Sequence, residues 1–296
     1  MIPLLDPDTV SRADSLGLVA RMIVEGYKVG EHRSPKRGFA IEFAQHREYT
    51  TGDDLRHLDW KVLGRTDRYY IKQYEQDTNY VAQLMLDGSE YMAFGSTKVR
   101  KIDYAKALAA CVAHAILGQR DAVALNIFRN SGPVHMPRTD NTGKMTEVLA
   151  RLAAFEPGDE ADFGAAIEGV AARTSSRGIV VIISDLFGDE DALRKGIERL
   201  RFSGHEVLVF HVLDPFEIEF PMQGTVRFEG LEGMGTVQTS PSEIRKSYLE
   251  TFNAFRTRVR HFCERANCHY VLANTGVPLA ETLGAYLAFR RRAAVR

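Results

Sequence analysis

From Asn79 onward, the sequence alternates between short apolar segments and segments with the apolar spacing of helices. Four apolar segments have the length of buried strands, at 81–89, 122–128, 178–185 and 205–213. Each is nearly continuous in apolar residues, which is typical of strands that are covered on both faces. Helical segments such as 101–118 and 189–202 separate these strands. The sequence therefore predicts an α/β fold with an open, mostly parallel sheet and helices on both faces.

The segment before residue 79 is less regular. Residues 3–28 have the apolar spacing of a helix, residues 29–52 predict a loop with short extended pieces, and a strand is predicted around residues 69–73. Near the other end, a hairpin, a helix, a strand and a last helix are predicted, at 214–240, 241–266, 269–273 and 278–292. We therefore divide the chain into an N-terminal leader and an α/β domain with a C-terminal extension, at residues 1–78 and 79–296.

Charge and cysteine content restrict the class of protein. The 296 residues include 38 Lys and Arg against 39 Asp and Glu, so the net charge is −1, which argues against a generally basic nucleic-acid-binding chain. The three cysteines form neither a disulfide framework nor a CxxC metal pair. No apolar run approaches the length of a membrane span, and the first residues lack the pattern of a signal peptide. We expect a cytoplasmic protein that does not insert into a membrane and binds no nucleic acid.

Polar side chains follow two of the predicted strands at the point where each strand ends. Asp87 and Ser89 follow the first strand, and Ser184 and Asp185 close the third. In an open α/β sheet, ligands bind beyond the carboxyl ends of the strands, near the point where the strand order reverses. Carboxylate and hydroxyl oxygens there suit a hard cation such as Mg²⁺. The same residue types also build ordinary turns and helix caps, so a purely structural role is the alternative.

The segment LMLDGSEYM, together with the later VVIISD, resembles the von Willebrand factor A domain. The metal-ion-dependent adhesion site of that family uses an Asp-x-Ser-x-Ser motif, a threonine from a later loop and an aspartate after the fourth strand. The resemblance places Asp87 and Ser89 at the first two positions and Asp185 at the last. Tyr91 stands in place of the second serine and Ala161 in place of the threonine. The resemblance implies a degenerate site for Mg²⁺ or Mn²⁺, in which both metal binding and its loss stay open.

A second resemblance begins in the N-terminal region. The segment YTTGDDLRHLDWKVLGRTDRYYIKQYEQD, the upstream GEHRSPKRGFAIEF and the later LDPFEIEFP are similar to a bacterial and archaeal family catalogued as domain of unknown function fifty-eight. The similarity runs from about Gly30 to about Pro221. That family joins such a leader to a von Willebrand-A-like domain, and its members are typically encoded beside MoxR-type AAA+ ATPases. The resemblance to its short soluble subgroup implies an adaptor or assembly factor that links such an ATPase to a client protein.

The motif GDDLRHLDW concentrates charged residues around the only tryptophan of the chain. Its charged and aromatic members are Asp53, Asp54, Arg56, His57, Asp59 and Trp60. One interpretation is a buried network of ion pairs that docks the leader on the sheet domain, because buried charges need partners and the motif supplies them itself. The other is a hot spot for a partner protein, because tryptophan and arginine dominate such sites. We favour the first interpretation.

These features predict a non-enzymatic interaction protein without catalytic residues. The alternative is a Mg²⁺-dependent phosphatase that resembles the haloacid dehalogenases, with Asp87 as nucleophile and Asp185 and Asp189 on the metal. That family has a second aspartate two residues after the nucleophile, where this chain has Ser89. No Walker A, GxSxG or HExxH motif is present. We therefore expect any ATP hydrolysis to be carried out by the partner ATPase.

Overall fold

Helices cover both faces of one central sheet in the computed structural model of the chain. The structure describes residues 7–30, 43–49, 59–66, 68–74, 81–130, 132–174, 177–222, 224, 226–229 and 236–293. The α-helices are α1 (Pro7–Gly30), α2 (Trp60–Thr66), α3 (Lys101–Leu117), α4 (Met145–Ala154), α5 (Phe163–Arg173), α6 (Glu190–Phe202), α7 (Pro215–Glu219), α8 (Pro241–Arg265) and α9 (Leu279–Ala293). The strands are β1 (Phe43–Glu48), β2 (Tyr70–Tyr74), β3 (Val81–Asp87), β4 (Ala122–Phe128), β5 (Val134–Thr139), β6 (Ile179–Ser184), β7 (Glu206–Leu213), β8 (Val226–Glu229), β9 (Thr236–Thr239) and β10 (His269–Asn274).

The chain divides into two compact units, one of residues 1–32 and 80–296 and the other of residues 33–79. In the larger unit, α1 packs against α3 and α4, and its residues Ala20 and Val24 are buried in the core. This boundary differs from the predicted division at residue 78, because the apolar face of α1 is part of the core of the α/β unit. The smaller unit contains the antiparallel pair β1 and β2, with α2 between them in sequence.

The central sheet has the strand order β10-β7-β6-β3-β4-β5. The neighbouring strands from β10 to β4 are parallel, and β5 is antiparallel at one edge. From β3 the chain proceeds to β4 and β5 on one side, and it then returns to place β6 and β7 on the other side. The strand order therefore reverses between β3 and β6, which is where open α/β sheets bind ligands.

Alternate residues of each central strand face opposite layers of helices. In β6, Val181 and Ile183 belong to the core beneath α1, α3, α4 and α9, whereas Val180 and Ile182 belong to the core beneath α5, α6 and α8. All six residues of β6 and all seven of β3 are buried. Burial on both faces explains why these strands are continuous apolar runs in the sequence.

The predicted open, mostly parallel sheet with helices on both faces is confirmed. The hairpin predicted within residues 214–240 is also confirmed, as the antiparallel pair β8 and β9. Two short helices, α2 and α7, were not predicted. Within the residues that the structure describes, no helix combines the length and the apolar character that a membrane span requires.

Gly178 provides a test of how closely β3 and β6 pack. A Cβ atom at Gly178 would lie 2.3 Å from the backbone oxygen of Val81, so the two strands would have to separate. We expect Gly178→Ala to lower the free energy of unfolding by about 1–3 kcal/mol in urea denaturation. Gly158→Ala is the matched control, because a Cβ there meets nothing within 4 Å. Equal stabilities of the two variants would contradict this packing.

Candidate functional site

The structure brings together the three predicted site residues at the carboxyl ends of β3 and β6. The Ser184 hydroxyl, at the end of β6, donates a hydrogen bond of 2.5 Å to Oδ2 of Asp87. The backbone N–H of Ser89 donates to Oδ1 of Asp87 at 2.9 Å. The negative charge of Asp185 also acts on Asp87. Asp87, Ser89 and Asp185 therefore lie at the same edge of the sheet, and their assignment as a metal site stays a prediction.

All three of these residues are buried, and the carboxylates of Asp87 and Asp185 accept hydrogen bonds from within the chain. Asp87 is 3% exposed and Asp185 is fully buried. Oδ1 of Asp185 accepts a hydrogen bond from the backbone N–H of Phe187 at 3.1 Å. Oδ2 of Asp185 accepts one from Nζ of Lys101 at 2.8 Å. With the two bonds to Asp87, each of the four carboxylate oxygens accepts a hydrogen bond from the protein.

Lys101 supplies the positive charge of the site. It is the first residue of α3 and is 1% exposed. Its Nζ contacts Oδ2 of Asp185 at 2.8 Å and Oε1 of Glu217 at 2.7 Å. The same atom lies 5.4 Å from the ring centroid of Phe187 and 6.0 Å from that of Phe94, which is the range of cation–π attraction. Burial alone would lower the pKa of Lys101, but the two carboxylates outweigh burial and raise it, so the ammonium is charged at neutral pH.

The pKa of Asp87 differs from that of an ordinary aspartate. Burial is the largest cause and the charge of Asp185 is the second, and together they raise this pKa from 3.8 to about 6. Hydrogen bonds from Ser184 and Ser89 act in the opposite direction. Asp87 therefore binds a proton more readily than an exposed aspartate does.

Asp214 joins the elements around Lys101. It follows β7 and accepts hydrogen bonds from the backbone N–H groups of Ser96 and Phe216 at 3.0 and 2.8 Å, and from the Ser96 hydroxyl. Its own N–H donates to Oε2 of Glu217 at 2.8 Å. Asp214 and Glu217 thus form a capping box at the start of α7. This pairing explains the LDPFEIEFP segment: the cap holds Glu217 in place, and Glu217 reaches Lys101.

Lys101, Glu217 and Asp214 were missed in the sequence. The sequence pattern around Pro215 could have predicted α7. A proline at the first helical position and a glutamate three residues after an aspartate indicate the start of a helix. No local pattern indicated that Lys101 contacts Asp185 and Glu217, since those residues are 84 and 116 positions away.

The two positions that depart from the adhesion-site motif have other contacts. The Tyr91 ring lies 6.3 Å from that of Phe187. Ala161 packs against the core beneath α5, α6 and α8. Asp189 caps α6 by accepting from the N–H groups of Asp191 and Ala192. Asp189 therefore has the structural role of a helix cap.

The donor set at this edge does not fit a resident divalent cation. Among the described residues, no group of three or more His, Cys, Asp and Glu side chains is arranged to hold a metal ion. Asp185 already has a cationic partner in Lys101, and Mg²⁺ requires near-octahedral coordination with several waters. Asp87 and Asp185 are 3% and 0% exposed, so neither residue faces the solvent that would supply those waters.

Only part of the GDDLRHLDW motif can be placed. Asp53, Asp54, Arg56 and His57 lie outside the described residues. Asp59 is buried, and its Oδ1 accepts from the N–H of Val62 at 3.2 Å at the start of α2. Trp60 is 68% exposed. In the smaller unit, Asp59 therefore has a structural role, whereas Trp60 presents its ring at the surface.

Comparisons with known proteins identify relatives without assigning a role. Residues 45–258 match the family described as "Protein of unknown function DUF58". The chain is 27% identical over 297 residues to the uncharacterized protein Rv1480 of Mycobacterium tuberculosis, with 98% of this chain and 92% of that protein covered.

Two solved structures are similar in fold. One is an aerotolerance-related membrane protein from Bacteroides fragilis, with a TM-score of 0.47, 16% identity, and coverage of 72% of this chain and 99% of that chain. The other is the VWA domain of SpRpn10, with a TM-score of 0.43, 15% identity, and coverage of 69% of this chain and 93% of that chain. Both likenesses are distant and concern the fold alone.

The contact between Glu217 and Lys101 can be tested by stability. Glu217→Gln removes one of the two carboxylates that balance a buried ammonium, so we expect the free energy of unfolding to fall by about 1–3 kcal/mol. Glu198→Gln is the matched control, because Glu198 pairs with Arg194 on the exposed surface of α6, where an ion pair contributes at most about 1 kcal/mol. Chemical denaturation of both variants gives the comparison. A control that loses as much stability as Glu217→Gln would contradict the buried pair.

Buried His211 of β7 makes the folding stability of the chain depend on pH. Burial is the main cause that lowers the pKa of His211 to about 3, and the positive charges of Arg256 and Lys101 act in the same direction. The unfolded chain therefore binds a proton near pH 6.5 that the folded chain excludes, so stability is present above pH 6.5 and is lost as the pH falls toward 3. Relative to His211→Gln, the wild type should lose about 2 kcal/mol between pH 7.5 and pH 5. Parallel pH profiles of the two proteins would show that His211 is not the cause.

Proposed function

Because the chain belongs to the family described as protein of unknown function DUF58, which its residues 45–258 match, we propose that it is a non-catalytic protein-interaction module. Its partner in this proposal is a MoxR-type AAA+ ATPase, and its task is to link that ATPase to a client protein during assembly or maturation. The observation that carries the proposal is the closed state of the strand-end site. The carboxylates there accept hydrogen bonds from Lys101, from the Ser184 hydroxyl and from backbone N–H groups.

A surface of aromatic side chains covers this closed site. The Phe187 ring stacks on Phe255 with centroids 5.3 Å apart and lies 6.2 Å from Phe252. Phe187 and Phe94 are each 37% exposed, and Val99 is 39% exposed. Exposed aromatic side chains at the ligand-binding edge of a sheet are typical of a protein contact. We assign the partner contact to this surface, formed by Phe94, Val99 and Phe187.

Asp87 enters this proposal as a supporting residue. Its buried carboxylate holds Ser184 and Ser89 and so fixes the two loops on which the surface stands. The phosphatase alternative requires Asp87 to attack a phosphoryl group. A carboxylate that is 3% exposed and hydrogen-bonded through both oxygens does not support that role.

The cytoplasm is the location that this proposal requires, since the partner uses ATP. Cys111, Cys263 and Cys268 are free and buried, as is usual for proteins of a reducing compartment. Burial raises the pKa of each of these thiols to about 12. Structural thiols of this kind fit a packing role and give no nucleophile.

Affinity purification tests the partner and the surface together. The tagged chain is purified from its native host with Mg²⁺ and a slowly hydrolysed ATP analogue, and the bound proteins are identified by mass spectrometry. We expect an AAA+ ATPase of the MoxR type, and about tenfold less of it with Phe187→Ala. The matched control is Phe202→Ala, because Phe202 is 94% exposed at the far end of α6.

The outcomes separate the parts of the proposal. Recovery of the ATPase with all variants alike would move the contact away from Phe187. Trp60→Ala, at the exposed tryptophan of the GDDLRHLDW motif, is purified in the same way, and loss of the ATPase with that variant alone would place the contact on this motif. No ATPase in repeated trials, together with phosphatase activity of the purified chain, would overturn the proposal and support the enzyme.

A further inference from the structure

The position of Lys101 calls for a physical explanation. A lysine at the first position of a helix is disfavoured, because the helix dipole is positive at that end. Burial adds a further cost, since an ammonium is strongly hydrated in water. Yet Lys101 begins α3 and is 1% exposed. The contacts of the Lys101 ammonium with its carboxylate partners must therefore offset both costs.

We propose that the ammonium of Lys101 is a built-in cation, which takes the role of a divalent metal ion at the strand-end site and keeps this site closed without any metal. The ammonium is held between the carboxylates of Asp185 and Glu217 at 2.8 and 2.7 Å. It thereby connects the end of β6 and helix α7 to the start of α3. A metal ion between strand-end carboxylates would connect loops in the same way, but its presence would depend on supply.

The residues around the ammonium are consistent with a lysine in place of a metal ion. Two of the three hydroxyl positions of the adhesion-site motif are held by Tyr91 and Ala161, which supply packing, and only Ser89 keeps its hydroxyl. The ring of Phe187 lies 5.4 Å from the ammonium, and Phe187 is 37% exposed whereas Lys101 is 1% exposed. A compact point charge of this kind is satisfied by carboxylates and a ring face, whereas Mg²⁺ would retain several waters.

Asp214 fixes the geometry of the built-in cation. It caps α7, and the capping box orients Glu217 so that one carboxylate oxygen bonds the N–H of Asp214 and the other bonds Lys101. Asp214 also holds the loop before α3 through Ser96. The two ends of the contact, Glu217 and Lys101, are therefore both positioned by one buried aspartate.

Thermal melting of the full chain with EDTA, Mg²⁺ or Mn²⁺ tests the proposal in the wild type. We expect the same midpoint in all three conditions, because a ligand raises the midpoint only if it binds the folded state. Mn²⁺ binding is followed in parallel by electron paramagnetic resonance. The wild type and Asp185→Asn should show the same weak, non-specific binding. One tightly bound Mn²⁺ per wild-type chain that is lost in Asp185→Asn would overturn the proposal.

Variants of Lys101 test the charge itself. We expect Lys101→Ala to lower the melting midpoint by about 10 °C. Mn²⁺ or propylammonium should restore part of this loss, because either one places a cation in the space that the lysine side chain left. Lys101→Met is the matched control, because it fills the space without a charge and should not respond to either cation. If neither cation raises the midpoint of Lys101→Ala, a positive charge is not what this position supplies, and the proposal fails. If Lys101→Ala does not fold, the melting and Mn²⁺-binding measurements on the wild type still test whether the site holds a metal ion.

Discussion

The buried contact of Lys101 with Asp185 and Glu217 is the interaction on which the carboxyl edge of the sheet depends. It joins α3, the end of β6 and α7, and each of these elements would otherwise place an uncompensated charge in the interior. Removing one member of a buried ion pair is much more costly than the pair itself is stabilising. The loss of any one of the three side chains would therefore destabilise the elements that carry the other two. This linkage accounts for the segment after β7, in which Asp214 and Glu217 cap α7 and orient the carboxylate toward Lys101.

The fold sets up this contact through its topology. Helices on both faces favour strands that are mostly apolar, and the carboxylates that follow this apolar stretch in β3 and β6 lie at the strand ends. Because β3 and β6 are parallel neighbours at the point where the strand order reverses, Asp87 and Asp185 end at the same edge. Burial is the main cause that raises the pKa of Asp87, and the negative charge of Asp185 raises it further. A cation is therefore required there, and the start of α3 provides it. With its carboxylates hydrogen-bonded from within the chain, the edge presents aromatic side chains to the outside.

The sequence predicted the parts of this arrangement that depend on local pattern. The continuous apolar runs predicted the central strands, and the strand-end positions of Asp87, Ser89 and Asp185 predicted that they meet. The partners of these residues were not predictable, because Lys101 reads as one charged residue at the start of a helix, and its contacts arise only in the folded chain. The packing of α1 in the core of the larger unit was not predictable for the same reason, since the pattern of an amphipathic helix does not specify which surface covers it. Asp53, Asp54, Arg56 and His57 lie outside the described residues, so the ion-pair interpretation of their motif stays a prediction.

A crystal structure of the full chain grown in Mn²⁺, with anomalous data collected near the manganese edge, tests the central claim most directly. The account predicts Nζ of Lys101 within hydrogen-bonding distance of both Asp185 and Glu217, and no anomalous peak at the ends of β3 and β6. A manganese peak beside Asp87 and Asp185, with the Lys101 side chain displaced, would contradict it.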